Sequence, residues 1–208
     1  MADITILIVE DEPLIAEDLA GILKKLDFEI LAVCYTLEGA QKQLLQKNKP
    51  DLVLLDINLN GEETGIEIGK WLNDELLIPF VYVTSYSDSN TVRAASRTQP
   101  SGYIVKPFTQ AAIYSAVEIA VYNHAQKIKQ LFPKLSLQKL NRNLIEPITD
   151  REFDVIELLN DGKTNTQISE QLFISLNTTK KHIKNIFVKL EVSSRSSLIA
   201  AARNLMSA

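Results

Sequence analysis

The chain has 208 residues, a formal net charge of −4, and 46% hydrophobic and 23% charged residues, as is typical of a soluble globular protein. This length suits one large domain or two small ones. It contains no run of about 18 apolar residues, and its first residues lack the features of a secretory signal, so we expect a cytoplasmic protein without a membrane span. The single cysteine, Cys34, excludes an intramolecular disulfide.

Charge is unevenly distributed along the chain. Residues 1–124 hold 9 Lys and Arg against 18 Asp and Glu, residues 125–147 hold 5 against 1, and residues 148–208 hold 8 against 7. An acidic front, a basic connector and a near-neutral back indicate two domains with different partners. The sequence therefore predicts an N-terminal domain over 1–124, a linker over 125–147 and a C-terminal domain over 148–208.

Apolar runs and amphipathic segments alternate through the first domain. Five apolar runs, the second of them weaker, predict buried strands over residues 5–9, 30–34, 52–55, 80–83 and 103–105. Amphipathic segments predict helices near residues 14–26, 37–47, 65–73 and 89–98 and from 110 onward. This alternation predicts an α/β domain with a parallel sheet.

Charged and hydroxyl side chains follow four of the predicted strands directly. They are Glu10 and Asp11 after the first strand, Asp56 after the third, Thr84 after the fourth and Lys106 after the fifth. Because parallel strands end at the same edge of a sheet, we expect these side chains to meet at one rim. Neighbouring carboxylates repel one another unless a cation binds, and Mg²⁺ suits such oxygen ligands. Asp56 beside a metal ion and an ammonium group is an activated phosphoryl acceptor.

The segments ILIVEDEP, LVLLDINL, VYVTSYSD and GYIVKPF together resemble the receiver domain of two-component response regulators. The resemblance implies a flavodoxin-like fold with a five-stranded parallel sheet of order 2-1-3-4-5. It implies that Asp56 accepts a phosphoryl group from a sensor histidine kinase and that Lys106 binds this group, with a cis bond between Lys106 and Pro107. It also implies a switch pair, Thr84 and Tyr103, that rearranges on phosphorylation.

The same resemblance, which covers residues 1–122, implies a metal site and two positions that set the lifetime of the acyl phosphate. Mg²⁺, with Mn²⁺ as an alternative, would be held by Glu10, Asp11, Asp56 and the backbone carbonyl of Asn58. Ser85 stands where the family usually has Ala or Gly, and it is small enough to leave access for phosphate. Asn58 and Tyr86 occupy positions that in this family tune hydrolysis.

Aspartyl-phosphate phosphatases are an alternative, since they too phosphorylate an Asp that follows a buried strand. Those related to the haloacid dehalogenases carry a second Asp two residues later as a general acid, and then a Thr. Here these positions hold Asn58 and Asn60. Without the acid, hydrolysis should be slow. The pattern therefore favours a switch that catalyses only its own phosphorylation and slow dephosphorylation, and not an enzyme that turns over a substrate.

Residues 148–208 predict four short helices with explicit start signals. These signals are capping boxes at Thr149–Glu152 and Thr164–Gln167, a cap at Ser175 and a start near Ser194. The third helix has an inward apolar stripe that includes Ile183 and Ile186, which leaves Lys180, Lys181 and Lys184 on its other faces. A Lys-rich helix after a short helix and a tight turn fits a DNA-binding helix-turn-helix; on spacing alone, a solvated basic face fits equally well.

The segment 148–202 resembles the LuxR-type helix-turn-helix domain along its whole length. The matching residues include Arg151, Glu152, Gly162, Asn165, Ile168, Lys189 and Arg195. The resemblance implies an all-α domain of four helices whose recognition helix begins near Leu176 and binds double-stranded promoter DNA. The residues expected to contact DNA are Asn177, Thr178, Lys180, Lys181, His182 and Lys184. Thr179 replaces the usual Val and Ser169 the usual Ala, and neither change removes a DNA-facing group.

The predicted linker begins inside a helical pattern. A 4, 3, 4, 3 spacing joins Val117, Val121, His124, Ile128 and Leu131. This spacing indicates that the last receiver helix extends past residue 122 and pairs with a partner protomer. We expect the rest of the linker to be a flexible tether whose basic residues add nonspecific attraction to DNA.

Together the two resemblances imply a transcriptional regulator that phosphorylation switches, by dimerisation or domain release, into a homodimer that binds promoter DNA. Two alternatives stay open. One is a receiver whose helical domain binds protein and not DNA, and the other is a regulator that binds DNA regardless of phosphorylation. The lysines of the third helix favour DNA, and the complete set of acceptor residues favours control by phosphorylation.

Overall fold

The structure is a computed structural model that describes residues 4–60, 64–85, 89–131 and 134–207. The contacts among these residues divide the chain into two compact units, Ala2–Val121 and Tyr122–Ala208. Each unit contains its own hydrophobic core. The predicted domain limits at residues 124 and 148 stay predictions of the sequence.

The first unit is built on the five predicted strands. They are β1 (Thr5–Val9), β2 (Glu29–Cys34), β3 (Leu52–Asp56), β4 (Phe80–Thr84) and β5 (Gly102–Val105). All neighbouring pairs are parallel, and the order in the sheet is β2-β1-β3-β4-β5. The predicted fold class and strand order are therefore confirmed.

Five helices follow the strands in turn. They are α1 (Pro13–Lys25), α2 (Leu37–Leu44), α3 (Thr64–Trp71), α4 (Ser89–Ser96) and α5 (Gln110–Leu131). Pro13 suits the first turn of α1, where its missing N–H is not needed. The Thr36 hydroxyl caps α2 by accepting a hydrogen bond from the amide of Gly39 at 3.1 Å. α5 ends at Leu131, so the predicted extension of this helix past residue 122 is confirmed.

Alternate residues of the strands enter two separate cores. In β1, Ile6 and Ile8 face a core shared with α1 and α5, whereas Leu7 and Val9 face a core shared with α2 and α3. All four side chains are fully buried. Because helices cover both faces of the sheet, the strands are continuous apolar runs, and polar side chains collect where the strands end.

The second unit contains the four predicted helices and, before them, a short α-helix followed by a 3₁₀ turn at Asn141–Asn143. The α-helices are α6 (Leu137–Leu140), α7 (Asp150–Asn160), α8 (Asn165–Gln171), α9 (Leu176–Lys189) and α10 (Arg195–Ser207). Both predicted capping boxes form, at Thr149 for α7 and at Thr164 for α8. In each, the hydroxyl accepts from the third amide of the helix, and the third side chain returns to the threonine N–H.

The segment 134–147 belongs to the core of the second unit. Leu135 and Leu140 are buried there together with Ile148. The side chain of Asn141 fixes the segment, since its Nδ2 donates to the carbonyl of Ile148 at 2.9 Å and its Oδ1 accepts from the amide of Ile148 at 2.7 Å. The expectation of a flexible tether is therefore wrong for these residues, because their apolar side chains complete the helical core.

Candidate functional site

The ends of β1 and β3 bring the three predicted carboxylates together. Glu10 and Asp11 follow β1 directly, and Asp56 is the last residue of β3. Each of the three offers an oxygen within 4.8 Å of the other two. Glu10 and Asp56 are buried, with 1% and 6% of their surfaces exposed. We name this cluster, together with Lys106, the acidic rim.

Lys106 reaches the carboxylates from the end of β5. Its ammonium lies 2.6 Å from Asp56 Oδ2 and 2.7 Å from Glu10 Oε2, and its side chain is 9% exposed. The amide of Lys106 donates to the carbonyl of Thr84 at 2.9 Å, which holds the ends of β4 and β5 side by side. Burial opposes the charge of the ammonium, but the hydrogen bonds to Asp56 and Glu10 outweigh it and raise the pKa of Lys106.

The acidic rim carries more negative charge than Lys106 balances. Burial raises the pKa of Glu10 to about 7; the hydrogen bond from Lys106 acts against this rise, and the negative charge of Asp56 adds to it. Two buried carboxylates and the partly buried Asp11 thus share one ammonium group. This donor set, with carboxylate oxygens converging from two strands, is of the kind that binds a hard divalent cation.

Backbone amides of the loop after β3 hold the carboxylates in place. Asp56 Oδ1 accepts from the amide of Asn58 at 3.1 Å, and Asp11 Oδ2 accepts from the amide of Asn60 at 2.8 Å. A Cβ atom on Gly65 would overlap the carbonyl oxygen of Asp56, so the start of α3 packs directly on this loop. Asn58 itself is exposed, and its backbone carbonyl stays a predicted ligand.

The two predicted switch residues differ in exposure. Thr84 is 5% exposed, and its hydroxyl donates to the carbonyl of Ser85 at 2.7 Å. Tyr103 is 40% exposed. The Thr84 hydroxyl would therefore have to rotate away from Ser85 to reach a phosphoryl oxygen. Tyr86, which the sequence predicts to influence hydrolysis, lies outside the described residues, and the predicted cis bond between Lys106 and Pro107 is present.

α9 divides its surface as the sequence predicts. Thr179, Ile183 and Ile186 are buried against the other helices. The Ser175 hydroxyl caps the helix by accepting from the amide of Thr178 at 3.1 Å. Of the six residues predicted to contact DNA, those exposed are Asn177, Thr178, Lys181 and Lys184, and those half-buried are Lys180 and His182.

Family models match both units. The model of the response regulator receiver domain matches residues 6–118, more than half of the chain, and that of the bacterial regulatory proteins of the luxR family matches residues 146–202. The chain is a response regulator. Its second unit carries the LuxR-type helix-turn-helix, so this response regulator belongs to the transcriptional regulators of that type.

Curated relatives match this response regulator over nearly its whole length. The transcriptional regulatory protein LiaR of Bacillus subtilis (strain 168) is 31% identical over 97% of this response regulator and 98% of its own length. The transcriptional regulatory protein DegU of Brevibacillus brevis is 29% identical over 94% and 91%, respectively.

Solved structures resemble either the whole response regulator or its first unit. That of the response regulator StyR covers 98% of this chain and 100% of its own, with a TM-score of 0.51 and 25% identity. That of the receiver domain of a modulated diguanylate cyclase from Desulfovibrio desulfuricans G20 covers 60% of this chain and 98% of its own, with a TM-score of 0.53 and 30% identity.

A buried ion pair anchors the recognition helix of the response regulator, and sequence reasoning missed it. Lys189, at the end of α9, lies 2.7 Å from Glu152 Oε2, and its side chain is 8% exposed. The same carboxylate oxygen accepts from the amide of Thr149 at 2.9 Å in the capping box of α7. Burial acts to raise the pKa of Glu152, but the hydrogen bonds from Lys189 and Thr149 outweigh it and lower the pKa. The capping box was visible in the sequence, but its ion-pair partner 37 residues away was not.

None of the helices in the described ranges combines the length and apolar character that crossing a bilayer requires.

Proposed function

We propose that phosphoryl transfer from a sensor histidine kinase to Asp56 switches this response regulator. The observation that carries the proposal is the contact of Lys106 Nζ with Asp56 Oδ2 at 2.6 Å inside the acidic rim. An oxygen of Asp56 attacks the phosphorus of the kinase phosphohistidine, a P–O bond forms as the P–N bond breaks, and the imidazole leaves with the electron pair. The ammonium group of Lys106 remains beside Asp56 and balances the negative charge of the transferred phosphoryl group.

The acidic rim fits a divalent cation. The residues that would hold Mg²⁺, or Mn²⁺ as an alternative, are Glu10, Asp11, Asp56 and the backbone carbonyl of Asn58. The convergence of three carboxylates within 4.8 Å supports this fit, because Lys106, the cation that contacts Glu10 and Asp56, supplies a single positive charge. When bound, the ion supplies positive charge that neutralises the carboxylates and the phosphoryl oxygens.

The switch follows from the positions of Thr84 and Tyr103. After transfer, the Thr84 hydroxyl turns from the carbonyl of Ser85 toward the phosphoryl group, and Tyr103 turns inward from its half-exposed position. The surface formed by α4 and β5 then changes. A difference of a few kcal/mol between the two states is enough to shift the population.

The output of the switch is binding of α9 to promoter DNA. The exposed lysines Lys181 and Lys184, with Asn177 and Thr178 near the start of the helix, support a recognition helix that meets phosphates and base edges. In a homodimer, two such helices would enter the major groove about one DNA turn apart. A regulator of promoters acts where the chromosome is, in the cytoplasm. In this scheme the receiver catalyses only its own phosphorylation and slow dephosphorylation.

Labelling by a small phosphodonor tests the proposal. With radiolabelled acetyl phosphate and Mg²⁺, the wild-type chain should take up label that acid preserves and alkali releases, as an acyl phosphate does. Asp56→Asn should take up none. Asp74→Asn removes an exposed carboxylate elsewhere in the same unit and should label like the wild type. Label that persists in Asp56→Asn would remove Asp56 as the acceptor.

A further inference from the structure

Tyr82 lies in the middle of β4, next to the proposed switch residue Tyr103 on β5 and deeper in the protein. The two residues are partners across the β4–β5 pair, and their ring centroids are 5.7 Å apart with planes tilted by 33°. Tyr82 is fully buried, whereas Tyr103 is 40% exposed. Since partners on parallel strands point to the same face of the sheet, the two rings already pack against each other, and an inward turn of Tyr103 would act on the ring of Tyr82.

The hydroxyl of Tyr82 is hydrogen-bonded to Thr98, two residues beyond the end of α4. Its Oη lies 2.9 Å from Thr98 Oγ1, and the Thr98 hydroxyl donates to the carbonyl of Ala95 at 2.7 Å. A threonine hydroxyl can donate only one hydrogen bond, so Thr98, which donates to Ala95, accepts the hydrogen bond that the Tyr82 hydroxyl donates. Burial raises the pKa of Tyr82, and the hydrogen bond to Thr98 offsets only part of this rise, which leaves the pKa at about 12. The phenol therefore keeps its proton at neutral pH.

Thr98 belongs to the turn that closes α4. Its amide donates to the carbonyl of Ala95 at 3.1 Å, and the amides of Arg97 and Gln99 make similar bonds one residue before and after it. The side chain of Thr98 is buried beneath this turn. The Tyr82 hydroxyl therefore ties the end of α4 to the centre of β4.

The ring of Tyr82 has little space in which to yield. α3 packs so closely that a Cβ atom on Gly69 would overlap the Tyr82 hydroxyl oxygen. Phe80 meets the ring edge-on, with centroids 5.2 Å apart and planes at 83°. A ring held between α3 and Phe80, and bonded to α4, acts as a rigid bridge.

We propose that Tyr82 is a positioning residue that couples the rotamer of Tyr103 to the position of α4. This inference rests on the proposed function, because the inward turn of Tyr103 is the event that Tyr82 transmits. With the hydroxyl bond in place, β4 and the closing turn of α4 move together, and pressure from Tyr103 displaces α4. Without that bond, the Tyr82 ring is no longer tied to Thr98, so the movement of Tyr103 is not passed on and α4 stays where it was.

Separate measurements on Tyr103 and on α4 test the coupling in the full chain. Fluorotyrosine labelling gives Tyr103 a fluorine NMR signal, assigned with Tyr103→Phe, and hydrogen exchange followed by mass spectrometry reports on α4. In the wild type, acetyl phosphate with Mg²⁺ should shift the Tyr103 signal and change the exchange of α4. In Tyr82→Phe, which keeps the ring, the Tyr103 signal should still shift, while the exchange change in α4 falls by about threefold or more.

Two further variants make the test specific. Thr98→Val removes the same hydrogen bond from the other side, so it should match Tyr82→Phe, and the double variant should add nothing to either. This variant also carries the test if Tyr82→Phe folds poorly. Thr5→Val removes a half-buried hydroxyl that donates to Asp51 Oδ2 at 2.9 Å in another part of the sheet, and it should respond like the wild type.

The outcomes separate this inference from the proposed function. A wild type that takes up no label at Asp56 would overturn the proposed function and the coupling with it. A wild type that is labelled, with an α4 response equal in Tyr82→Phe and Thr98→Val, would overturn the coupling alone. An equal loss of the α4 response in Thr5→Val would also overturn it, since the effect would then reflect general loosening of the unit.

Discussion

The acidic rim and the recognition helix present their charged groups in opposite ways. At the rim, the side chains of Lys106 and Glu10 are 9% and 1% exposed and lie 2.7 Å apart. On α9, Lys181 and Lys184 are exposed. Buried charges depend on their partners, because a buried charge that loses its partner is costly, whereas exposed charges contribute little to stability and act almost independently.

The recognition helix nevertheless relies on a buried pair of its own. Lys189, the last residue of α9, pairs with Glu152 of α7, and their side chains are 8% and 4% exposed. In both regions a buried ion pair fixes neighbouring elements of the fold, β3 and β5 at the acidic rim and α7 and α9 in the second unit. Only at the acidic rim do the paired groups also take part in the proposed chemistry. Substitutions in the buried pairs should therefore have large effects, and those of the exposed lysines should have small, salt-dependent ones.

Breaking the ion pair between Glu152 and Lys189 at the end of α9 should have the largest effect on stability. Glu152→Gln removes the buried charge partner of Lys189, leaves its ammonium with the carbonyl of Pro147 at 2.9 Å and the exposed Glu146 at 3.7 Å, and weakens the capping box. The free energy of unfolding should therefore fall by about 3 kcal/mol. Urea titration measures this loss. Asp154→Asn, whose pair with Arg151 at 3.3 Å is exposed to solvent, should cost less than about 1 kcal/mol. Equal losses in the two variants would contradict the importance of burial.

Breaking the pair at the acidic rim should act on chemistry. Lys106→Met keeps a long side chain but removes the charge that faces the transferred group, so the rate of labelling by acetyl phosphate should fall about 100-fold. The repulsion between Glu10 and Asp56 is then unrelieved, and added Mg²⁺ should raise the melting temperature of this variant more than that of the wild type. Lys70→Met, on exposed surface, should label normally. A rate that stays within twofold of the wild type would remove Lys106 from the mechanism.

A half-buried histidine outside both sites, His124, extends the comparison to pH. Burial, with a smaller effect of Lys127, lowers the pKa of His124 from 6.5 to about 4. The unfolded chain therefore binds this proton more readily, so stability that is present above pH 6.5 is lost as pH falls toward 4. Between pH 7 and pH 5 the wild type should lose about 2 kcal/mol more than His124→Gln in urea titrations. Parallel losses in the two proteins would show that His124 titrates normally.

The acidic rim could be predicted from the sequence because it follows from strand ends alone. Once the apolar runs are strands of one parallel sheet, residues such as Asp56 and Lys106 must lie at the same edge, whatever the details of packing. The capping boxes at Thr149 and Thr164 were equally visible, because each lies within four consecutive residues. Local patterns and simple topology thus sufficed for the fold and for most of the candidate site.

Contacts between distant side chains could not be predicted in this way. Tyr82 in an apolar strand signals that a buried hydroxyl needs a partner, but nothing in the sequence points to Thr98. Leu135, Leu137 and Leu140 are spaced two and three residues apart and give no clear period, so the burial of Leu135 and Leu140 in the helical core was missed. The half-buried position of Lys180, next to the exposed Lys181, depends on the rotation of α9, which the lysine pattern leaves open.

The exposed lysines of α9 should show the smallest effects, and these should depend on salt. In gel shifts with genomic fragments, Lys181→Ala and Lys184→Ala should each weaken binding and flatten the slope of log affinity against log salt by about 0.9 if one phosphate contact is lost. Lys180→Ala should change the slope less, because this side chain is half-buried. The free energy of unfolding should hardly change in any of them, in contrast to Glu152→Gln. A slope that is unchanged in Lys181→Ala and Lys184→Ala would mean that these lysines do not meet phosphates, and retained shifts in the double variant would assign DNA binding to another surface.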